Sequence, residues 1–381
     1  MQAYLDNSAT TRVADGVIQE MTRAMSQMYY NPSAMYREAL YAEKEMNECR
    51  DLILKSIHAK DARVIFTSGG TESNNLALLG AAGAMHPPIR VLVSSGEHPS
   101  VMEAAGSLVK AGAEVEYIPL TNAGEIDYGA LEAMLERDVN LISVMHVNNE
   151  TGAINDIARI SGMVRGKCPG ARIHVDGVQG FLREKIDFSL IDMYTLSAHK
   201  IHGPKGVGAL AVRKGVRLIP LHIGGGQEDN LRSGTENTPG IAGLKRAVLE
   251  MDAMTDICER LHEKKRRLYD AIVSRIPGAV VNGPEIERGA CHILNMSFPG
   301  VRGEVMLHAL EEEGVMVSTG SACSSKKRRI SPVLTAMGVP SKIAECAVRF
   351  SLSPYTANEE IDYAAEKIKM KYEILKRFQR R

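Results

Sequence analysis

Met193-Tyr194-Thr195-Leu196-Ser197-Ala198-His199-Lys200-Ile201-His202-Gly203-Pro204-Lys205-Gly206 runs from an apolar, β-prone segment into a loop punctuated by glycine and proline. Open α/β sheets keep their ligand crevice beyond the carboxyl ends of the strands, and Lys200 stands at such an end. A lysine there forms a Schiff base if its pKa is depressed, whereas the plain alternative is a surface lysine beside a turn. Working outward, similar short apolar segments recur at 63–67, 91–94, 115–118, 141–145, 172–175 and 208–212. Between them, residues 72–84, 101–111, 128–136 and 157–166 carry helix formers with apolar spacing near 3.6. Strand and helix patterns that alternate in this way predict an α/β core, a mostly parallel sheet covered by helices on both faces.

The chain has 381 residues, 44% hydrophobic and 24% charged, which excludes wholesale disorder and fibrous repetition and leaves room for more than one domain. Forty-six Lys plus Arg are balanced by 46 Asp plus Glu, so no direct nucleic-acid or membrane-surface role is expected and the substrate is a small molecule. No apolar run approaches the roughly 18 residues of a membrane helix. The six cysteines, at 49, 168, 258, 291, 323 and 346, lie at least 23 residues apart, which argues against a cysteine-built metal site. Residues 1–11 lack the basic start and apolar stretch of a signal peptide, and a cytoplasmic protein is expected. A Gly-rich stretch, Gly224-Gly225-Gly226-Gln227, precedes a charged helical pattern from Ile241 to Ile276. A domain boundary is placed near residue 255, followed by a smaller α+β unit with strands at 292–297 and 347–351 and a basic terminal helix.

Several strand ends carry polar groups suited to one site. Thr67-Ser68-Gly69-Gly70-Thr71-Glu72-Ser73-Asn74-Asn75 turns from a strand into a helix through two glycines, a phosphate-binding arrangement, although a helix cap at Thr71 explains the hydroxyl equally well. It lacks the Gly-Lys-Ser/Thr ending of a nucleotide-triphosphate loop, and no Gly-x-Gly-x-x-Gly fingerprint follows the early strands. Asp176, in Val175-Asp176-Gly177-Val178-Gln179, is a carboxylate able to keep a pyridinium nitrogen protonated, or else a local cap. His98 and the Asn148-Asn149-Glu150-Thr151-Gly152 run end two more strands. Taken singly, His98 reads as a satisfied structural histidine.

In this order, from Tyr4-Leu5-Asp6-Asn7-Ser8-Ala9-Thr10-Thr11 to Arg232-Ser233-Gly234-Thr235 and Ser321-Ala322-Cys323-Ser324-Ser325, the motifs resemble the cysteine desulfurases of the aminotransferase class V group. The resemblance covers nearly the whole chain. It implies the type I aminotransferase fold, with a large domain at 13–255 and a small one formed by 1–12 and 256–381, and pyridoxal 5'-phosphate as cofactor. Lys200 would hold the cofactor covalently, Asp176 would face its pyridine nitrogen, and Gln179 and Asn149 would meet the ring hydroxyl side. His98 would stack on the ring and move protons. Gly70, Thr71, Ser197 and His199 match the phosphate site, Thr235 reaches the phosphate of the other subunit of a homodimer, and Arg349 clamps the substrate carboxylate, with Asn149 beside it.

Cys323 sits in a Ser/Gly stretch followed by Lys326-Lys327-Arg328-Arg329, where positive charge favours a thiolate. By resemblance it is the nucleophile that takes sulfur from L-cysteine, leaving L-alanine, and passes it to an acceptor protein, an iron–sulfur scaffold or a tRNA-thiolation enzyme. The four basic residues would dock an acidic acceptor. The other five cysteines read as structural, Cys49 and Cys258 on helices. Ser351-Leu352-Ser353-Pro354 departs from the family in lacking a second arginine. Selenocysteine lyase and class V aminotransferase are the enzymatic alternatives, and Cys323 speaks against the latter. A cofactor-free scaffold is the non-enzymatic one.

Overall fold

The computed structural model describes residues 1–319 and 330–378. The chain opens on a two-residue strand, β1 (Ala3–Tyr4), and seven strands then build the main sheet: β2 (Ala62–Thr67), β3 (Arg90–Ser94), β4 (Glu114–Ile118), β5 (Leu141–Met145), β6 (Arg172–Asp176), β7 (Met193–Ser197) and β8 (Gly208–Arg213). Their spatial order is β2-β8-β7-β6-β5-β3-β4. Only β8 runs against its neighbours. Every residue of β3, β5 and β7 is buried, which is why these strands read as continuous apolar runs rather than as alternating ones.

All the expected strands form, and helices occupy the expected spacers, with one difference in how they wind. The stretch expected as a helix over 72–84 begins at Gly70, and its middle, Leu76–Gly80, winds as a π-helix. Helix Asp15–Gln27, which the sequence reading did not assign, and helix Arg37–Ser56, which bears out the expectation that Cys49 lies on a helix, pack on helix Thr238–Asp252. The pattern read as one helix from Ile241 to Ile276 is corrected. It is two, Thr238–Asp252 and Ile257–Arg275, interrupted where Asp256 takes φ 58°, a left-handed conformation that a short Asp side chain tolerates and a helix does not.

Four strands follow: β9 (Val280–Val281), β10 (Ile293–Ser297), β11 (Val315–Met316) and β12 (Ala347–Ser351). β12, β10 and β9 make an antiparallel sheet, and β11 pairs in parallel with β1. Helices Ile257–Arg275 and Asn358–Phe378 pack together over this part. One hydrophobic cluster draws on residues between Ala14 and Met251. Another joins Ala3 and Leu5 to residues between Leu261 and Tyr372. The first residues of the chain are therefore buried with the last third. Among the described residues no helix is long and apolar enough to cross a membrane.

His174, in the middle of β6, is a buried polar group with both ring nitrogens engaged, Nδ1 with Ser143 Oγ at 2.8 Å on β5 and Nε2 with Thr195 Oγ1 at 3.0 Å on β7. Burial pulls its pKa down to about 3. The unfolded chain protonates this ring below about pH 6.5 while the folded protein stays neutral, so stability falls as pH falls, by about 1.4 kcal/mol per pH unit for this ring. Denaturant unfolding between pH 7 and 5 should therefore show a shallower pH slope in His174→Gln. An unchanged slope would refute the assignment.

Candidate active site

The carboxyl ends of β2, β3, β6 and β7 converge. β7 ends at Ser197 and gives way to a single tight turn, Ala198–Lys200. Lys200 Nζ donates to the backbone carbonyls of Ser8 and Ala9, the latter at 2.8 Å. Behind it, the Arg183 guanidinium donates to the Lys200 carbonyl at 2.7 Å. Thr11 holds the neighbouring His199 carbonyl through its backbone N–H and its hydroxyl, each at 3.0 Å. The N-terminal segment thus lies across the lysine turn.

Asp176 ends β6 and is 3% exposed. Its two oxygens accept from different partners, Val178 N–H at 3.0 Å and Asn74 Nδ2 at 2.8 Å. The same Asn74 amide donates to Ser100 Oγ at 2.9 Å, and Ser100 Oγ meets His98 Nδ1 at 2.8 Å. A hydrogen-bonded chain therefore joins His98 to Asp176 through Ser100 and Asn74. His98 Nδ1 also accepts the Ser100 N–H, which leaves the proton of the neutral ring on Nε2. Burial, seconded by the Lys200 charge and opposed by Asp176, holds the His98 pKa below its ordinary value.

Glu97, next to His98, is buried, with one carboxylate oxygen taking the Met145 N–H at 2.5 Å. Burial first, then the Asp176 charge, push its carboxyl well up and favour the uncharged form.

At the β2 end, Gly69 has φ 150°, a conformation that disfavours a side chain, and a Cβ there would stand 3.7 Å from Ser197 Oγ. Ser197 Oγ is buried and has no protein partner. Gly70 lies so close to Val178 that a Cβ would meet Val178 Cγ2 at 2.8 Å, which brings the glycine turn onto the Asp176 loop. An unsatisfied buried hydroxyl beside a side-chain-free turn, a buried carboxylate and an amine at neighbouring strand ends match the donor set that pyridoxal 5'-phosphate requires. Gly177 has its own constraint: a Cβ would fall 1.9 Å from Tyr194 Cζ in the core. Gly177→Ala should lower thermal stability by about 1–3 kcal/mol and loosen the Asp176 turn. A melting temperature equal to that of the parent would contradict this.

Arg349 on β12 is 2% exposed. Its guanidinium donates to Asp6 Oδ1 at 2.7 Å and to the Asn149 carbonyl at 2.9 Å, leaving Nε without a protein partner. Gln179 donates to the Ser8 carbonyl at 3.0 Å and meets His292 Nε2 at 3.3 Å. The Nε of this arginine is thus a buried, unpartnered donor where the N-terminal segment, the β5 end and β12 meet.

The arrangement has well-matched counterparts. The family model described as aminotransferase class-V matches residues 3–364. A curated relative, cysteine desulfurase IscS of Dictyoglomus turgidum, is 40% identical over 372 residues, covering 96% of this chain and 93% of the relative. The chain belongs to the class-V aminotransferases, among the cysteine desulfurases. Another member of this family, cysteine desulfurase IscS 1 of Archaeoglobus fulgidus, is 38% identical over 95% of both chains. Among solved structures, a NifS-like protein superimposes with a TM-score of 0.91 at 34% identity, covering 98% of this chain and all of that one. These similarities establish the type I aminotransferase fold and the family's cofactor, pyridoxal 5'-phosphate.

Set against the desulfurase pattern, the structure brings together Gly70, His98, Asp176, Gln179, Ser197, His199 and Lys200. Thr71, which was open to being a helix cap, is exposed in the first turn, and the helix that follows Gly69 has no side-chain cap. Asn149 joins the group through its backbone and Arg349. Thr235 is exposed, in a segment pinned by the Arg232 to Glu72 hydrogen bond at 3.0 Å. Cys323 and the basic run 326–329 lie outside the described residues. Asn74, Ser100 and Glu97 were given no role in the sequence reading. Asn74 stood in a quoted motif, but nothing local marked it as the link between residues 98 and 176.

Proposed function

We propose that the chain converts L-cysteine to L-alanine, moving the sulfur onto Cys323 as a persulfide, with the residue roles that follow. The observation that carries this reading is the joining of Lys200, Asp176 and His98 at strand ends of one sheet, with the unpartnered Arg349 Nε held by the same N-terminal segment that holds Lys200. When bound, pyridoxal 5'-phosphate supplies an electron sink for the substrate's α-carbon. Asp176, held by Asn74 and Val178, would face the ring nitrogen. Gly70, Thr71, Ser197 and His199 would receive the phosphate, with Thr235 of a second copy, while Gln179 and Asn149 would meet the ring hydroxyl.

Arg349 orients the substrate through its carboxylate. Lys200 Nζ moves the α-proton, and the neutral His98, with its proton on Nε2, serves as donor on the other side. Substrate sulfur passes to Cys323 as its bond to carbon breaks, so L-cysteine and a protein thiol yield L-alanine and a protein persulfide with no outside oxidant. Ser318, the described residue five positions before Cys323, exchanges backbone hydrogen bonds with Arg349 at 3.2 and 2.6 Å, which supports delivery of that cysteine to the substrate bound there.

The two hydrophobic clusters support a division into 13–255 and 1–12 with 256–381. Exposed Tyr29, Met35, Leu40 and Ile223 support a homodimer that covers them. The free thiols at 49, 168, 258, 291 and 346 suit a reducing, cytoplasmic setting. The acceptor is a protein of iron–sulfur assembly or tRNA thiolation, docked by residues 326–329.

Addition of L-cysteine to the cofactor-loaded protein should yield alanine and sulfide and leave a persulfide on Cys323. Cys323→Ser should lose sulfide and persulfide yet keep the change in cofactor absorption on substrate addition. Undiminished sulfide release from that variant in the presence of a reductant would sink the assignment.

A further inference from the structure

Lys200 is fixed at both of its ends, by different means. Its amine is held by the Ser8 and Ala9 carbonyls of the N-terminal segment, and its backbone by the turn 198–200, whose three carbonyls are all engaged. Ala198 accepts from the Ile201 and Gly203 N–H groups at 3.0 and 2.9 Å, His199 from Thr11, and Lys200 from Arg183 Nη2 at 2.7 Å. Arg183 is the charged donor of this set, and a charge-assisted hydrogen bond is the stronger kind. A second nitrogen of the same guanidinium, Nη1, reaches the Gln179 carbonyl at 3.5 Å. Gln179 in turn donates to the Ser8 carbonyl, the acceptor it shares with Lys200 Nζ. Residues 183, 200, 8 and 179 therefore close a ring of hydrogen bonds that ties three stretches of chain together.

Two further observations mark Arg183 as more than a filler of the core. It is 8% exposed, its Nε is buried without a protein partner, and among the described residues it forms no ion pair, so a cation is kept in the interior against the cost of its burial and directed at backbone oxygens. The residue before it, Leu182, takes φ 61°, a left-handed backbone that a bulky side chain disfavours and that persists where the surroundings over-determine it. Hydrogen bonds from the Arg183 and Glu184 N–H groups to the Gly180 carbonyl, at 2.9 and 2.8 Å, close the turn that presents the guanidinium. From the other side, Cys258 Sγ donates to the Arg183 carbonyl at 2.9 Å.

We propose that Arg183 is a positioning residue for the reaction: by holding the Lys200 and Gln179 carbonyls it sets where the lysine amine stands whenever that amine is free of the cofactor. This rests on the function proposed above and gives a role to a residue outside the cofactor set. Arg183 acts through Lys200 and Gln179 rather than by contact with the reacting atoms. The amine moves the α-proton from one place only, and a displacement of about 1 Å there costs on the order of 100-fold in rate. Substrate affinity depends instead on Arg349, which stands outside the ring.

The test compares the cofactor-loaded parent with Arg183→Met, which keeps much of the side chain's bulk and removes its donors, and with Arg183→Lys, which returns a donor. In Arg183→Met, kcat for alanine formation should fall about 10- to 100-fold with KM for L-cysteine little changed. The visible circular dichroism of the bound cofactor, which reports how asymmetrically the protein grips it, should weaken in the same variant. Arg183→Lys should recover most of both. Arg183→Gln, whose amide is too short to reach the Lys200 carbonyl, takes the place of the methionine variant if that chain does not fold. Unchanged kcat and dichroism in a folded Arg183→Met or Arg183→Gln protein would overturn the proposal, and so would a loss confined to KM or to the melting temperature. The dichroism needs no turnover, so a parent that binds cofactor yet makes no alanine fails the desulfurase reading and leaves the dichroic comparison to decide this one.

Discussion

Lys200→Ala is expected to abolish alanine formation, with a fall in kcat of at least the 10²- to 10⁴-fold that one positioned proton-transfer group contributes. The reason lies in geometry as well as chemistry. Nζ is held by two backbone carbonyls, of Ser8 and Ala9, at the mouth of the group formed with Asp176 and His98. No other described lysine stands at the end of a strand of the main sheet in this group, so the loss has no substitute. Lys200→Ala should also lose the covalent attachment of cofactor, detected as cofactor released on denaturing gel filtration. Retention of measurable alanine production above about 1% of the parent rate would contradict the assignment.

Arg349→Lys should separate binding from chemistry. The guanidinium makes two directed contacts inside the protein and keeps Nε for a ligand, a division of labour that a single ammonium cannot copy. Loss of a charge-assisted contact worth about 1.5–3 kcal/mol raises KM for L-cysteine about 10- to 150-fold, with kcat little changed if the contact is equally strong in ground and transition states. Arg349→Ala goes further, because it strands the Asp6 carboxylate, and should cost about 3–5 kcal/mol of stability as well. Steady-state kinetics together with a denaturation curve check both. An unaltered KM in the lysine variant would remove Arg349 from the substrate site.

What was legible in the sequence follows from how each element is buried. Leu141-Ile142-Ser143-Val144-Met145 is wholly buried, so nothing polar interrupts its pattern and the strand could be read directly. Helix Arg37–Ser56 was read only as a helix around Cys49, without bounds: only five of its residues are buried and the rest is charge-rich, so its apolar stripe is thin. The interruption at 253–256 was hidden because the sequence keeps helical periodicity on both sides of residues whose backbone leaves the helix.

The site divided in the same manner. Lys200, Asp176 and His98 stood out because strand-end position and side-chain type coincide. Asn74 did not, since its meaning rests on a hydrogen bond to a residue 102 positions away. Glu97 and Ser100 flank His98 and read as neighbours until the fold turns one toward Met145 N–H and the other toward Asn74.

The strap across Lys200 sets a timetable. Ala3 pairs with Val315, and the Asn7 N–H bonds to the Ser351 carbonyl at 3.2 Å. During synthesis at about 5–20 residues per second, residues 3–8 wait for partners more than 300 positions later, whereas Thr11 finds His199 and His202 beside the main sheet. The segment that holds the Lys200 amine is thus fixed at one end by the main sheet and at the other by β11 and β12. Completion of the site waits on those two strands, the last to be made among the described ones.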